Sequence, residues 1–123
     1  MKIENDKFVK HCGIELLEIQ EGKARARMKV QQHHLNDLNI AHGGAIFTLA
    51  DTTFAAVANS HGYDAVAIGT HTSFMKATQE GEYLYAEGTE LNERGRIGSV
   101  RVDVTNEAGE FVASFEGLAY RKF

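Results

Sequence analysis

The stretch "HLNDLNIAHGGAIFTLADTTFAAVANS", His34–Ser60, decides the fold. Ile46, Leu49, Ala50, Phe54, Val57 and Ala58 recur at helical spacing, so Ala45 to Ala58 is expected to be a helix. Phe47, Ala55 and Ala56 carry apolar surface round to its other sides. A helix apolar nearly all round is buried nearly all round. Yet an acid, Asp51, sits in its middle, and His42-Gly43-Gly44 stands where it begins. The segment before it, "QQHHLNDLNIAHGG", is polar and aperiodic and reads as a loop, with His33 and His34 solvated.

The rest of the chain is strand-like. "IELLEIQEGKARARMKV" alternates on either side of Glu21-Gly22, as two strands joined by a tight turn do. "AVAIGTHTSFMKA", "EYLYAEGTELNE", "RIGSVRVDVTNE" and "EFVASFEGLAYRKF" supply the remaining strands. Turns fall near Arg94-Gly95 and at Asn106–Gly109, and Val100, Val102 and Val104 share one face. A short helix precedes them all, capped by Asn5 or Asp6 and stopped by Gly13. The order β-β-α-β-β-β-β predicts an α+β domain: one long central helix against a curved antiparallel sheet of about five to six strands.

Composition narrows the class. Residues 1–123 make one domain by length, and 43% hydrophobic with 24% charged residues suits a globular one. A net charge of -4 argues against a nucleic-acid partner held by phosphate neutralisation. The single cysteine, Cys12, rules out an intrachain disulfide and fits a reducing compartment. "MKIENDKFVK" has no apolar signal core, and no run approaches the ~18 apolar residues of a membrane span. A cytoplasmic protein without a membrane partner is the expectation.

Asp51 has two readings. It shares a wet stripe with Thr48 and Thr52, or it is a carboxylate held in a partly dry cleft as a base or nucleophile. The glycine doublet is a flexible entry to the helix, or it lets a ligand approach the free N–H groups of the first turn. Those groups, helped by the helix dipole, hold an anion or a developing oxyanion. Gly43 and Asp51 are eight residues apart, about 12 Å along a straight axis. One carbonyl cannot touch both in one chain. Two helices crossing antiparallel near Phe47 bring Gly43 of one chain beside Asp51 of the other, which predicts a C2 dimer with two composite sites.

Asn36, then His42-Gly43-Gly44, then Asp51 resembles the helix motif of the hotdog-fold acyl-CoA thioesterases of the phenylacetate-degradation type, within the 4-hydroxybenzoyl-CoA thioesterase superfamily. "THTSFMKATQEGEYLYAEG" is similar to that group's strand pair, and "NEAGEFVASFEGLAYR" to its last hairpin. The resemblance implies a hotdog fold and hydrolysis of acyl- or aryl-CoA thioesters without a metal or organic cofactor. It implies that Asp51 is the base or nucleophile and that the Gly43 N–H polarises the carbonyl. His42 and Asn36 then orient the substrate or the attacking water near the sulfur. It also implies a dimer, or a dimer of dimers, with the site between subunits. The chain departs from relatives at Lys76-Ala77-Thr78, where they often carry proline, and at Ala67, where some carry a serine or threonine that helps hold water.

Other residues have bland and functional readings side by side. The histidines lack the i, i+4 spacing of zinc helices, so a metal is not expected. Cys12 beside His11 reads as a structural thiol, since catalytic pairs are spatial rather than sequential. Lys76, Arg94 and Arg96 fall at or near strand ends, as solvated residues or as contacts for CoA phosphates, and Gly44 is grouped with them as a substrate contact. Phe54, Phe74 and Tyr63 are core aromatics or the lining of an aryl pocket. Two rival functions remain: a hotdog hydratase or dehydratase acting on enoyl thioesters, and an acyl-CoA sensor that binds without hydrolysis.

Overall fold

The computed structural model describes residues 2–123. Helix α1 (Lys7–His11) starts on Asp6, whose carboxylate accepts the N–H groups of Phe8 and Val9 at 2.9 and 3.1 Å. Strands β1 (Ile14–Gln20) and β2 (Lys23–Lys29) form the first hairpin, with Gly22 at φ 79° in its turn. Helix α2 (Gly43–Ala58) follows, then β3 (Asp64–Phe74), β4 (Tyr83–Glu90), β5 (Ile97–Asn106) and β6 (Phe111–Lys122). All six strands join one antiparallel sheet in the order β1-β2-β4-β5-β6-β3. This is the expected α+β hotdog architecture. The segment likened to the group's strand pair supplies the end of β3 and most of β4, which do not pair with each other: β3 pairs with β6, and β4 lies between β2 and β5.

Period-two burial explains the sheet. Ala24, Ala26 and Met28 of β2, Leu84 and Ala86 of β4, and Val100, Val102 and Val104 of β5 are all buried on the face that receives α2. Small residues under the helix allow close approach. A Cβ on Gly88 would lie 2.8 Å from a Val57 methyl, and one on Gly117 would lie 2.7 Å from the Phe54 ring. Phe115 anchors the centre, with ring centroids 5.7 Å from Phe47 and 5.6 Å from Phe54. The helix's threonines satisfy their hydroxyls on carbonyls one turn back: Thr48 on Gly44, Thr52 on Thr48 and Thr53 on Leu49.

Strand β3 is different. It bonds to β6 on one side only, and of its eleven residues only Ala65 is buried. Its whole length from Val66 to Phe74 is accessible or partly so on both faces. An edge strand this long and this bare is a ready template for pairing. Among the described residues no helix is long and apolar enough to cross a membrane.

Candidate active site

The start of α2 is organised by His42. As N-cap, its Nδ1 accepts the Gly44 N–H at 2.8 Å, and its carbonyl accepts Ala45 and Ile46 at 2.9 and 3.3 Å. Because Nδ1 accepts, the neutral ring carries its proton on Nε2 and offers a donor there. Among the described residues no acceptor takes the Gly43 N–H. The two glycines therefore part company. Gly44 has its donor committed to the cap, while Gly43 holds a free donor at the positive end of a sixteen-residue helix.

The approach loop holds that geometry from behind. Asn36 Oδ1 accepts Leu38 and Ile40 N–H groups at 2.9 and 3.4 Å, which leaves the Asn36 amide NH2 as a donor. Ala41 donates to Thr78 O at 2.8 Å and His42 to His34 O at 2.7 Å. His34 itself is not solvated: it is buried on a 3-10 turn, because its ring bridges two backbones. Its Nδ1 accepts Gln31 N–H at 2.9 Å and its Nε2 donates to Cys12 O at 2.8 Å, which fixes the neutral tautomer. Burial holds its pKa below the ordinary value, against the opposing pull of the Cys12 carbonyl. No pattern in the residues signals this role, since an adjacent histidine pair in a polar run looks like any solvated loop.

Asp51 is half-buried, and among the described residues its carboxylate has no hydrogen-bond or ion-pair partner. Burial pushes its pKa up, and the negative charge of Asp6 pushes it further. Thr52 beside it is 5% exposed, so the wet-stripe reading loses one of its two threonines. Gly44, Thr48 and Asp51 fall on one helix face by their spacing. A cleft of about 270 Å³ lies along that face, lined by Gly44, Thr48, His42, His11 and Phe8.

A second cleft, about 370 Å³, opens on the other side of the helix start. Asn36, Gly43, Ile46, Phe74, Met75 and Lys76 line it. A Cβ on Gly43 would sit 3.3 Å from the Phe74 ring, so this aromatic closes against the free donor's own residue. Phe54 is core and Tyr63 lies at the far end of the helix, so of the three aromatics only Phe74 reaches this cleft. Lys76 at its rim is 3.7 Å from Glu110, a solvent-exposed pair. Within one chain Arg94 and Arg96 are not here. Their loop is tied to β6 by Arg121 and lies by the end of α2, near His61. Cys12 is buried and its thiol pKa is raised by that burial, as befits a structural thiol. Among the described residues no group of three or more His, Cys, Asp or Glu is placed to hold a metal ion.

Residues 38–113 match the model of the thioesterase superfamily. The acyl-coenzyme A thioesterase PaaI of Escherichia coli K12 is 34% identical over 96% of this chain and 84% of its own. Its solved structure superposes with a TM-score of 0.94, covering 98% of this chain and 87% of that one at 33% identity. The smu.793 protein of Streptococcus mutans UA159, solved bound to acetyl CoA, is 28% identical at a TM-score of 0.85, over 89% of this chain and 88% of that one. A protein of Archaeoglobus fulgidus is 42% identical over 96% of this chain and 77% of its own. Matched to these relatives over nearly its whole length and folded as they are, this chain is a thioester hydrolase that belongs to the thioesterase superfamily.

Proposed function

We propose that the enzyme hydrolyses acyl- or aryl-CoA thioesters at two identical sites, each assembled from two chains. The free Gly43 N–H carries the reading. It points out of a helix N-terminus, where a carbonyl gaining negative charge is stabilised by the bond and by the dipole together. Asp51 supplies the other half, as general base toward water or as nucleophile toward the carbonyl carbon. Its raised pKa makes it a stronger base than a solvated carboxylate. His42 Nε2–H and the Asn36 amide are donors for the departing sulfur and the attacking water. The thiolate leaves as CoA, and the acid is released with one oxygen from water.

The same helix cannot bring Gly43 and Asp51 to one carbonyl, since about 12 Å separates them. Antiparallel pairing of β3 with a second copy answers this and also covers the bare edge. It sets the two α2 helices antiparallel, so that each Gly43 faces the partner's Asp51. Lys76 at the rim of the Gly43 cleft then meets the phosphates of the CoA tail. Thiol release from a panel of CoA esters, with wild type and Asp51→Asn side by side, tests the reading. Free CoA from wild type with none from the variant supports it; binding of the ester without release by either protein would turn the reading to a sensor, and loss of enoyl absorbance without thiol to a hydratase.

A further inference from the structure

Gly43 and Gly44 stand between two clefts. Gly43 lines the one with Phe74 and Lys76, and Gly44 lines the one with Thr48 and Phe8. Neither residue has a side chain to block the passage from one cleft to the other. A Cβ at Gly43 would sit 3.3 Å from the Phe74 ring, and one at Gly44 would sit 3.1 Å from His42 Nδ1. A thioester whose carbonyl oxygen takes the Gly43 N–H carries its two arms on opposite sides of the carbonyl carbon. With the CoA arm on the Lys76 side, the acyl arm is directed across Gly44 into the second cleft.

That cleft, between α1 and α2, suits an apolar group. One wall is a series of rings: Phe8 to His11 at 6.3 Å between centroids, His11 to His33 at 6.2 Å, and His33 to His34 at 4.2 Å. The His34 end is buried, with both ring nitrogens bonded to backbone, and its carbonyl takes the His42 N–H. The Phe8 end is 59% exposed. On the opposite wall Thr48 donates its hydroxyl to Gly44 O at 2.7 Å. An apolar occupant therefore breaks none of these bonds. Helix α1 is held in place before any substrate arrives: Asp6 caps it, Val9 is buried, and Cys12 O takes the His34 Nε2–H. The cleft's volume, about 270 Å³, is smaller than the ~300–1,000 Å³ that encloses a whole drug-sized ligand. It has room for a short acyl chain and not for a long one.

We propose that the cleft between α1 and α2 binds the acyl group of the thioester held at Gly43 of the same chain, and that Phe8 closes its far end and sets the chain length. The substrates are then short, apolar acyl esters. The inference rests on the hydrolytic reading above. The ring wall carries the chain outward from His42, Thr48 packs against its other side, and Phe8 meets its last carbons.

The experiment measures kcat/KM for acetyl-, butyryl-, hexanoyl-, octanoyl- and dodecanoyl-CoA with wild type, Phe8→Ala, Thr48→Leu and Met75→Ala, with a thermal melt of each protein. Wild type should favour butyryl or hexanoyl and handle dodecanoyl about tenfold less well or worse. Phe8→Ala opens the far end and should raise the dodecanoyl-to-butyryl ratio about tenfold. Thr48→Leu fills the cleft from the helix side and should lower the hexanoyl-to-acetyl ratio by about the same factor. Met75→Ala lies in the other cleft and should change all the esters alike. A wild-type optimum at dodecanoyl overturns the subsite and leaves the hydrolysis intact, and so does a length profile that moves in Met75→Ala but in neither of the other variants. If Phe8→Ala melts early, Thr48→Leu decides alone: an unmoved hexanoyl-to-acetyl ratio overturns the subsite. Should wild type release no thiol from any ester, the hydrolytic reading fails by itself. Calorimetry with the S-butyl and S-dodecyl thioethers of CoA then decides the subsite: dodecyl binding strengthened by Phe8→Ala supports it, and equal binding overturns it.

Discussion

His42 Nδ1 accepts the N–H of Gly44 at 2.8 Å, and that one bond decides which glycine of the pair keeps a free donor. Had the cap taken Gly43 instead, the unpaired N–H would lie one residue further into the helix. The His42 side chain thus has two separable jobs, an acceptor at Nδ1 and a donor at Nε2.

Asparagine caps helices as well as aspartate or serine does, but it brings no donor to the place where Nε2 stands. His42→Asn should therefore keep the melting temperature close to wild type while turnover falls by about 10²-fold. His42→Ala should lose both turnover and about 1 kcal/mol of stability. Melts and steady-state kinetics on the pair separate the two jobs; equal melting losses in both variants would contradict the division.

Asp51→Asn should lower turnover by ~10²-fold or more. It should also stabilise the fold at neutral pH. The folded pKa of Asp51 lies above its unfolded value, so folding disfavours the charged form. The cost is absent below the unfolded pKa and complete above the folded one. The variant's melting advantage should accordingly be present at pH 7 and shrink on acidification, read by melts across pH.

Asp6 raises the Asp51 pKa by its charge and caps α1 by its oxygen. Asp6→Asn keeps a capping oxygen and removes the charge. The acid limb of kcat/KM, set by the Asp51 carboxyl, should move to lower pH without loss of the plateau. A pH–rate profile that does not move would show that the limb belongs to another group.

Gly117 lies under the helix, not in the site. Gly117→Ala drives a Cβ to 2.7 Å from the Phe54 ring and 3.0 Å from that of Phe115, both buried. The overpacked core should cost about 1–3 kcal/mol. Denaturant titration should show the loss in midpoint.

What sequence pattern revealed and hid follows from the range of each interaction. Ile46, Leu49, Phe54 and Val57 announce α2 because burial repeats with the helical turn, and all four are buried. Val100, Val102 and Val104 announce β5 for the same reason at period two. Asp51 stood out because a carboxylate in such a face needs an explanation. His34 did not, because its partners, Cys12 and Gln31, are met through backbone atoms that any residue carries. The order of strands was hidden too: β3 pairs with β6 through backbone hydrogen bonds between segments far apart in sequence, while the hairpins are local. Spacing did indicate that Gly43 and Asp51 cannot share a carbonyl within one helix, yet it could not show which strand edge stands open for a second chain.

The most direct test of the two-chain site mixes two crippled proteins. Asp51→Asn and His42→Asn chains, unfolded together and refolded at equal concentration, should give about half mixed dimers. Each mixed dimer has one site with both His42 and Asp51 intact and one with neither. Thiol release should then return to about a quarter of the wild-type rate, from two proteins that are nearly inactive alone. A mixture no more active than its separate components would contradict the account, since a site built within one chain is never restored by exchange.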